Sequence, residues 1–158
     1  MQIPKLLLIA ALALASTLHA QQPILYGSPI PLEKAKLVAA AALAEAQKNG
    51  WLMAVTVVDP SGNLVFFEKM DGTQLGSIDV SMAKARSAVL FKRPTKAFED
   101  SLAAGGAGLR TLKVPGAMPV EGGVPLIENG KIIGAVGVSG GQPPQDGQCA
   151  NAAAAQVH

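Results

Sequence analysis

The sequence predicts an α+β fold, an antiparallel sheet built from two hairpins with helices packed around it. Three observations carry this. Val124–Ile127 and Lys131–Val138 are apolar, β-branched runs separated by Glu128-Asn129-Gly130, and Asn-Gly suits the type I′ turn of a tight hairpin. Leu52–Val58 and Leu64–Met70 are a second such pair, joined through the turn formers Asp59-Pro60-Ser61-Gly62-Asn63. Between and around these runs, apolar residues recur at helical spacing. Hairpin strands pair antiparallel, and striped helices need a sheet face to cover.

The elements follow in order. Residues 1–20 read as a secretory signal peptide: Lys5 is the basic start, Leu6–Leu14 the apolar run, and Leu18-His19-Ala20 ends in the small residue that cleavage requires. The localisation this predicts is periplasmic or secreted, after cleavage near Ala20. Residues 21–31 are rich in proline and form an extended arm, and 32–158 form a single domain. From Leu32 to Asn49, Ala35, Val38, Ala39, Ala42, Leu43 and Ala46 make one smooth helical face that Gly50 ends. After the first hairpin, Asp71-Gly72 breaks the pattern. A second helix spans Ile78–Lys92, with Ser77 as N-cap and Ile78, Met82, Ala85 and Val89 buried. Pro94 stops it, and Thr95 caps a third helix running through Leu102. The glycine-rich residues 104–108 read as flexible, and Leu109–Met118 as irregular. The second hairpin then feeds Ser139-Gly140-Gly141, and Pro143-Pro144 opens an alanine-rich terminal helix.

Composition narrows function. Lys and Arg total 13 against 11 Asp and Glu, without the dense basic stripe that a nucleic-acid surface needs. Beyond the leader, no apolar run is long enough to span a bilayer. Cys149 is the single cysteine, so packing rather than an intrachain disulfide must hold the fold. Gly137-Val138-Ser139-Gly140-Gly141 matches G-x-S-x-G, the pattern of a nucleophile elbow. A serine needs a base, however, and the two histidines are His19, in the leader, and His158, the last residue. An elbow also requires a parallel sheet, whereas this strand leaves a hairpin. The loop therefore reads as a glycine turn, whose N–H groups could hold an anion. No cluster of His, Cys, Asp and Glu has metal-ligand spacing.

Several stretches carry a resemblance when taken in order: Val57-Val58-Asp59-Pro60-Ser61-Gly62, Met70-Asp71-Gly72, Ala83-Lys84-Ala85, Phe91-Lys92-Arg93-Pro94-Thr95, Gly122-Gly123-Val124-Pro125-Leu126, and Gly134–Gly141 followed by Gln145-Asp146. Across nearly all of residues 32–155 the chain resembles the GlcG/HbpS-like family, which is related to the C-terminal domain of PduO-type corrinoid adenosyltransferases. The resemblance implies helices around an antiparallel sheet, a homo-oligomer, and a small-molecule ligand of the haem or corrinoid class.

The residues expected to bind ligand are Met70, Asp71, Lys84, Arg93, Thr95, Gly123, Ser139, Gly140, Gly141 and Asp146. No Cys-x-x-Cys-His is present for covalent haem attachment. Axial ligands for haem could come from Met53, Met70, Met82, Met118, Tyr26, Cys149 or His158, of which Met70, Met118 and His158 are favoured. Among Lys84, Arg86 and Arg93, the first and last are favoured to pair with propionates. The leading expectation is an exported, non-catalytic binder of haem or a related tetrapyrrole. One alternative is an enzyme acting on a small organic acid through the Gly137–Gly141 loop, with Asp71, Lys84 or Asp146 moving protons. Another is a scaffold or sensor partner with no ligand.

Overall fold

A computed structural model of the chain describes residues 23–157. The signal-peptide reading over 1–20, the start of the arm and His158 fall outside the described residues. The elements are β1 (Leu25–Tyr26), α1 (Leu32–Lys48), β2 (Ala54–Val58), β3 (Leu64–Lys69), α2 (Ser77–Leu90), α3 (Lys96–Ala103), a 3₁₀ segment (Gly106–Lys113), β4 (Gly123–Glu128), β5 (Lys131–Ser139) and α4 (Pro143–Ala154). Among the described residues, no helix is long and apolar enough to cross a membrane.

Strand β5 is the centre of the sheet. It pairs antiparallel with β2 along residues 135–139 and with β4 along 131–137, while β3 pairs antiparallel with β2 at the margin. Asn129 and Gly130, at φ +49° and +72°, make the β4–β5 turn, the two positive values that a type I′ turn demands. In the β2–β3 turn, Asp59 Oδ1 accepts hydrogen bonds from the Ser61 and Asn63 N–H groups at 2.8 and 2.9 Å.

The arm holds a fifth strand that composition does not show. Leu25 and Tyr26 pair in parallel with Lys131 and Ile132, so the sheet is mixed rather than built from two hairpins alone. The N–H groups of Gly27 and Ile30 donate to the carbonyls of Ile132 and Ile133, and the Tyr26 hydroxyl donates to the Val89 carbonyl at 2.9 Å. Residues 106–113, read as loop, form the 3₁₀ segment.

Helices cover both faces. Ala35, Val38, Ala39, Ala42 and Ala46 of α1 join Cys149, Ala150 and Ala153 of α4 over Val55, Val57, Val136 and Val138. The alternate residues Val58, Ile132 and Ala135 meet Ala85, Ala88 and Val89 of α2 on the other face. Cys149 is buried here, and burial pushes its thiol up to about 11.

The buried stripe of α2 is rotated from the expected one. Ser77, Ser81, Lys84, Ala85, Ser87, Ala88 and Val89 face inward, while Ile78 is 38% exposed and Met82 half-buried. The reason lies beneath the helix. Gly123 and Gly137 are cross-strand partners, and a Cβ at Gly137 would stand 2.0 Å from the Ser81 carbonyl oxygen. A Cβ at Gly123 would stand 2.3 Å from that of Lys84. The helix backbone rests directly on this bare patch, leaving room for small side chains and none for large ones. Ser77 is the first residue of α2 rather than its cap, and the Gly76 cap position makes no side-chain hydrogen bond.

Candidate functional site

The close seating of α2 places its lysine. Lys84 is fully buried, and its ammonium donates to Asp146 Oδ2 at 2.6 Å and to the Val138 carbonyl at 3.1 Å. Asp146 sits in the first turns of α4, so the ion pair ties together the helices of opposite faces around the end of β5. Its Oδ1 accepts the Gly141 N–H at 2.9 Å, and the Gly140 N–H also stabilises the carboxylate. Burial pushes Lys84 down and Asp146 up from their ordinary values, and in each case the partner's charge and hydrogen bond oppose that push. Gly122 closes the pair, since a Cβ there would lie 2.9 Å from Lys84 Nζ and 2.8 Å from Asp146 Cβ.

This arrangement gathers Lys84, Gly140, Gly141 and Asp146. Thr95 and Gly123 join them from the α3 side: Thr95 Oγ1 accepts the Gly123 N–H at 2.9 Å, and the Thr95 N–H donates to the Gly123 carbonyl at 3.0 Å. The threonine hydroxyl thus tethers β4 instead of capping α3. Ser139 is buried and its hydroxyl donates to Ser77 Oγ at 3.3 Å, and among the described residues no basic side chain hydrogen-bonds to it. The glycine loop is indeed an anion cradle, but the anion it holds is the chain's own Asp146 carboxylate.

The other sequence-selected residues lie elsewhere. Met70 packs half-buried beside Met53, its sulfur accepting the Met53 N–H at 3.4 Å, and Asp71 is exposed in the following turn. Arg93 is exposed, donates from Nε to the Phe91 carbonyl at 3.2 Å, and lies 5.5 Å from the Phe98 ring centroid. Of the favoured axial candidates, Met118 lines a cavity, Met70 is placed in the core margin, and His158 is outside the described residues.

That cavity is a cleft of about 390 Å³ between α2 and the segment at 116–118, walled by Met82, Ala83, Leu90, Ala117 and Met118, with Asp79 and Arg86 completing it. Residues 79, 82, 83, 86 and 90 recur at three- and four-residue steps, the outward stripe of α2. The signal was therefore present in the sequence, hidden by assigning Met82 wholly to the core, against which it packs with part of its side chain while it also lines the cleft. Met118 is held by its N–H, which donates to Ser87 Oγ at 3.0 Å. A smaller hollow of about 230 Å³ lies between the start of α3, residues 121–124 and α4. Glu121 in its wall has its carboxyl pushed up by burial. Nothing in the local pattern singles out Glu121, whose setting is made by α4.

Comparison with known proteins places this architecture. The family model described as "Haem degrading protein HbpS-like" matches residues 30–155. The chain belongs to that family. Within it, the chain is 42% identical over 107 residues to Protein GlcG of Escherichia coli (strain K12), covering 68% of this chain and 78% of the relative. The crystal structure of HbpS is similar with a TM-score of 0.75 and 31% identity, over 86% of this chain and 95% of that one. The structure described as the PduOC:heme complex is similar with a TM-score of 0.73 and 26% identity, over 82% and 96% of the two chains.

Proposed function

We propose that this protein binds haem or a closely related tetrapyrrole, non-covalently, in the cleft between α2 and residues 116–118. The observation that carries the proposal is the character of the cleft. A flat macrocycle with two carboxylates needs apolar walls and a cation at hand. Met82, Leu90, Ala117 and Met118 supply the walls, and the exposed Arg86 supplies the cation. Met82 and Met118 also bring thioethers, which haem iron accepts as axial ligands and which raise its potential. The haem complex of a related protein and the family's description support the same ligand class.

The propionate contact moves to Arg86 in this reading, because Lys84 is buried and already paired with Asp146. We propose binding rather than turnover, since among the described residues the cleft is walled by no imidazole. Export rests on the charge and hydropathy pattern of residues 1–20. Homo-oligomer formation is supported by large apolar side chains left in solvent, notably Leu75, Leu112 and Leu109 at 78%, 63% and 53% exposure.

Haem titration of the mature chain tests the reading. A saturable Soret shift is expected, weakened by Met118→Ala and Met82→Leu and unaltered by Met70→Ala. Loss of the shift on deleting His158 alone would place the site at the terminus instead, and no shift in the wild type would end the tetrapyrrole reading. Bleaching of bound haem with reductant and oxygen would show turnover. Sedimentation as a monomer at micromolar concentration would remove the oligomer.

A further inference from the structure

We infer that the hollow between the start of α3, residues 121–124 and α4 is a second binding site, built for a small, neutral, oxygenated molecule that carries both a hydrogen-bond acceptor and a hydroxyl. It shares no residue with the α2 cleft and does not depend on the haem reading.

Two polar groups in its wall have no partner among the described residues. The first is the N–H of Gly122, a buried residue. The Gly122 carbonyl accepts the Val138 N–H at 2.8 Å, as an antiparallel pair requires. The Val138 carbonyl, which would complete that pair, is engaged by Lys84 Nζ instead. Gly122 stands just before β4 at φ +125°, and its N–H returns no bond to that carbonyl; a buried orphan N–H is rare enough to need a reason. The second group is the Glu121 carboxyl. Its backbone N–H donates to Glu99 Oε2 at 2.5 Å, but the side chain accepts no hydrogen bond and forms no ion pair. Gly147 keeps the room this carboxyl occupies, since a Cβ there would lie 2.2 Å from Glu121 Oε1.

Size and charge select the ligand class. At about 230 Å³ the hollow admits a molecule of a few heavy atoms and excludes a macrocycle. Lys84 is paired with Asp146 and Lys96, which lines the hollow, with Asp100, while Glu99 and Glu121 form no ion pair and feel the two lysines only through longer-range attraction. An anionic ligand would meet this negative surplus and be repelled. A neutral hydroxy-carbonyl fits instead: its carbonyl oxygen accepts from the Gly122 N–H, and its hydroxyl donates to the Glu121 carboxylate.

Amide-resolved NMR of the mature chain tests this, with hydroxyacetone as the probe and glycolate as its anionic counterpart of similar size. Hydroxyacetone is expected to shift the Gly122 amide saturably and glycolate to leave it in place. Gly147→Ala should weaken that binding by about tenfold or more, because the methyl drives the Glu121 side chain into the hollow while alanine suits a helix interior. Glu121→Ala should do the same by deleting the acceptor, and it carries the test if Gly147→Ala fails to fold. Equal or tighter binding of glycolate, an unmoved Gly122 amide, or undiminished affinity in the variants would each overturn the inference. The amide readout is independent of any Soret signal, so failure here and failure of the haem reading are told apart.

Discussion

The two faces of α2 make opposite use of the same helix. Inward, it presents serines, alanines and one lysine to a glycine patch, and every buried polar side-chain atom there is paired. Thr56 Oγ1 and Ser81 Oγ are 2.8 Å apart, Ser139 donates to Ser77, and Lys84 meets Asp146. Among the described residues, no buried side-chain nitrogen or oxygen lacks a partner. Outward, Met82, Leu90 and Arg86 border open space that only a segment of irregular chain partly covers. The lesson concerns which lysines and methionines to suspect. A cation that is fully satisfied inside the protein holds structure, whereas a thioether beside a cleft is free to meet a ligand.

The largest effect should come from the inner face. Lys84→Met leaves Asp146 buried without its cation and should cost about 3–5 kcal/mol of stability, read as a shift in the urea midpoint. Replacing both partners, as Lys84→Met with Asp146→Leu, should recover most of that loss. If Lys84→Met is as stable as wild type and loses only ligand affinity, the pair belongs to a binding site and the contrast between the faces collapses.

Next comes the glycine patch. Gly137→Ala sets a methyl against backbone atoms of Ser81 and Ala85 that cannot swing aside. Overpacking of this kind costs roughly 1–3 kcal/mol, and denaturant unfolding should show it without any change in the haem spectrum beyond that due to unfolding. A neutral outcome would mean that α2 is not seated as closely as described.

On the outer face the expected effect is smaller and falls on affinity alone. Met118→Ala should weaken haem binding by roughly tenfold, or about 1.4 kcal/mol, and leave the urea midpoint where it was. Arg86→Ala should act similarly through the propionate, with a dependence on salt that Met118→Ala lacks. A large loss of stability in either variant would show that this face is structural too.

The smallest effect is a pH dependence at Glu121. Burial raises its folded-state pKa above the unfolded value, so the native chain binds the proton more readily. Stability from this group is present below the unfolded pKa and is lost as pH rises through the folded one. Glu121→Gln should therefore be slightly more stable than wild type near neutrality, with the gap closing toward pH 4, as urea midpoints at the two pH values would show. A gap that widens on acidification would reverse the assigned direction.

Much of this molecule was legible locally. The Asn129-Gly130 turn, the Asp59–Asn63 turn and the alanine face of α1 depend on residues a few positions apart, and short-range sterics and hydrogen bonds dictate them. The tendency of Gly137–Gly141 to present N–H groups to an anion was legible for the same reason. What occupied that cradle was not. Asp146 Oδ1 reaches Gly141 only because α4 turns back, and Asp146 Oδ2 meets a lysine 62 positions earlier. Nor could local periodicity orient α2. Its apolar residues favoured one stripe, and the pairing of Gly123 with Gly137 selected another, because the helix backbone can approach the strands this closely only where the strand residues carry no Cβ. By itself the sequence determined the four helices, the two hairpins, their order and the hairpin turns, but not β1 or the 3₁₀ segment. Which side of α2 faces the sheet, which charges are consumed in holding it there, and which groups are left free for a ligand were decided by tertiary packing, since burial and partnership arise only when distant segments meet.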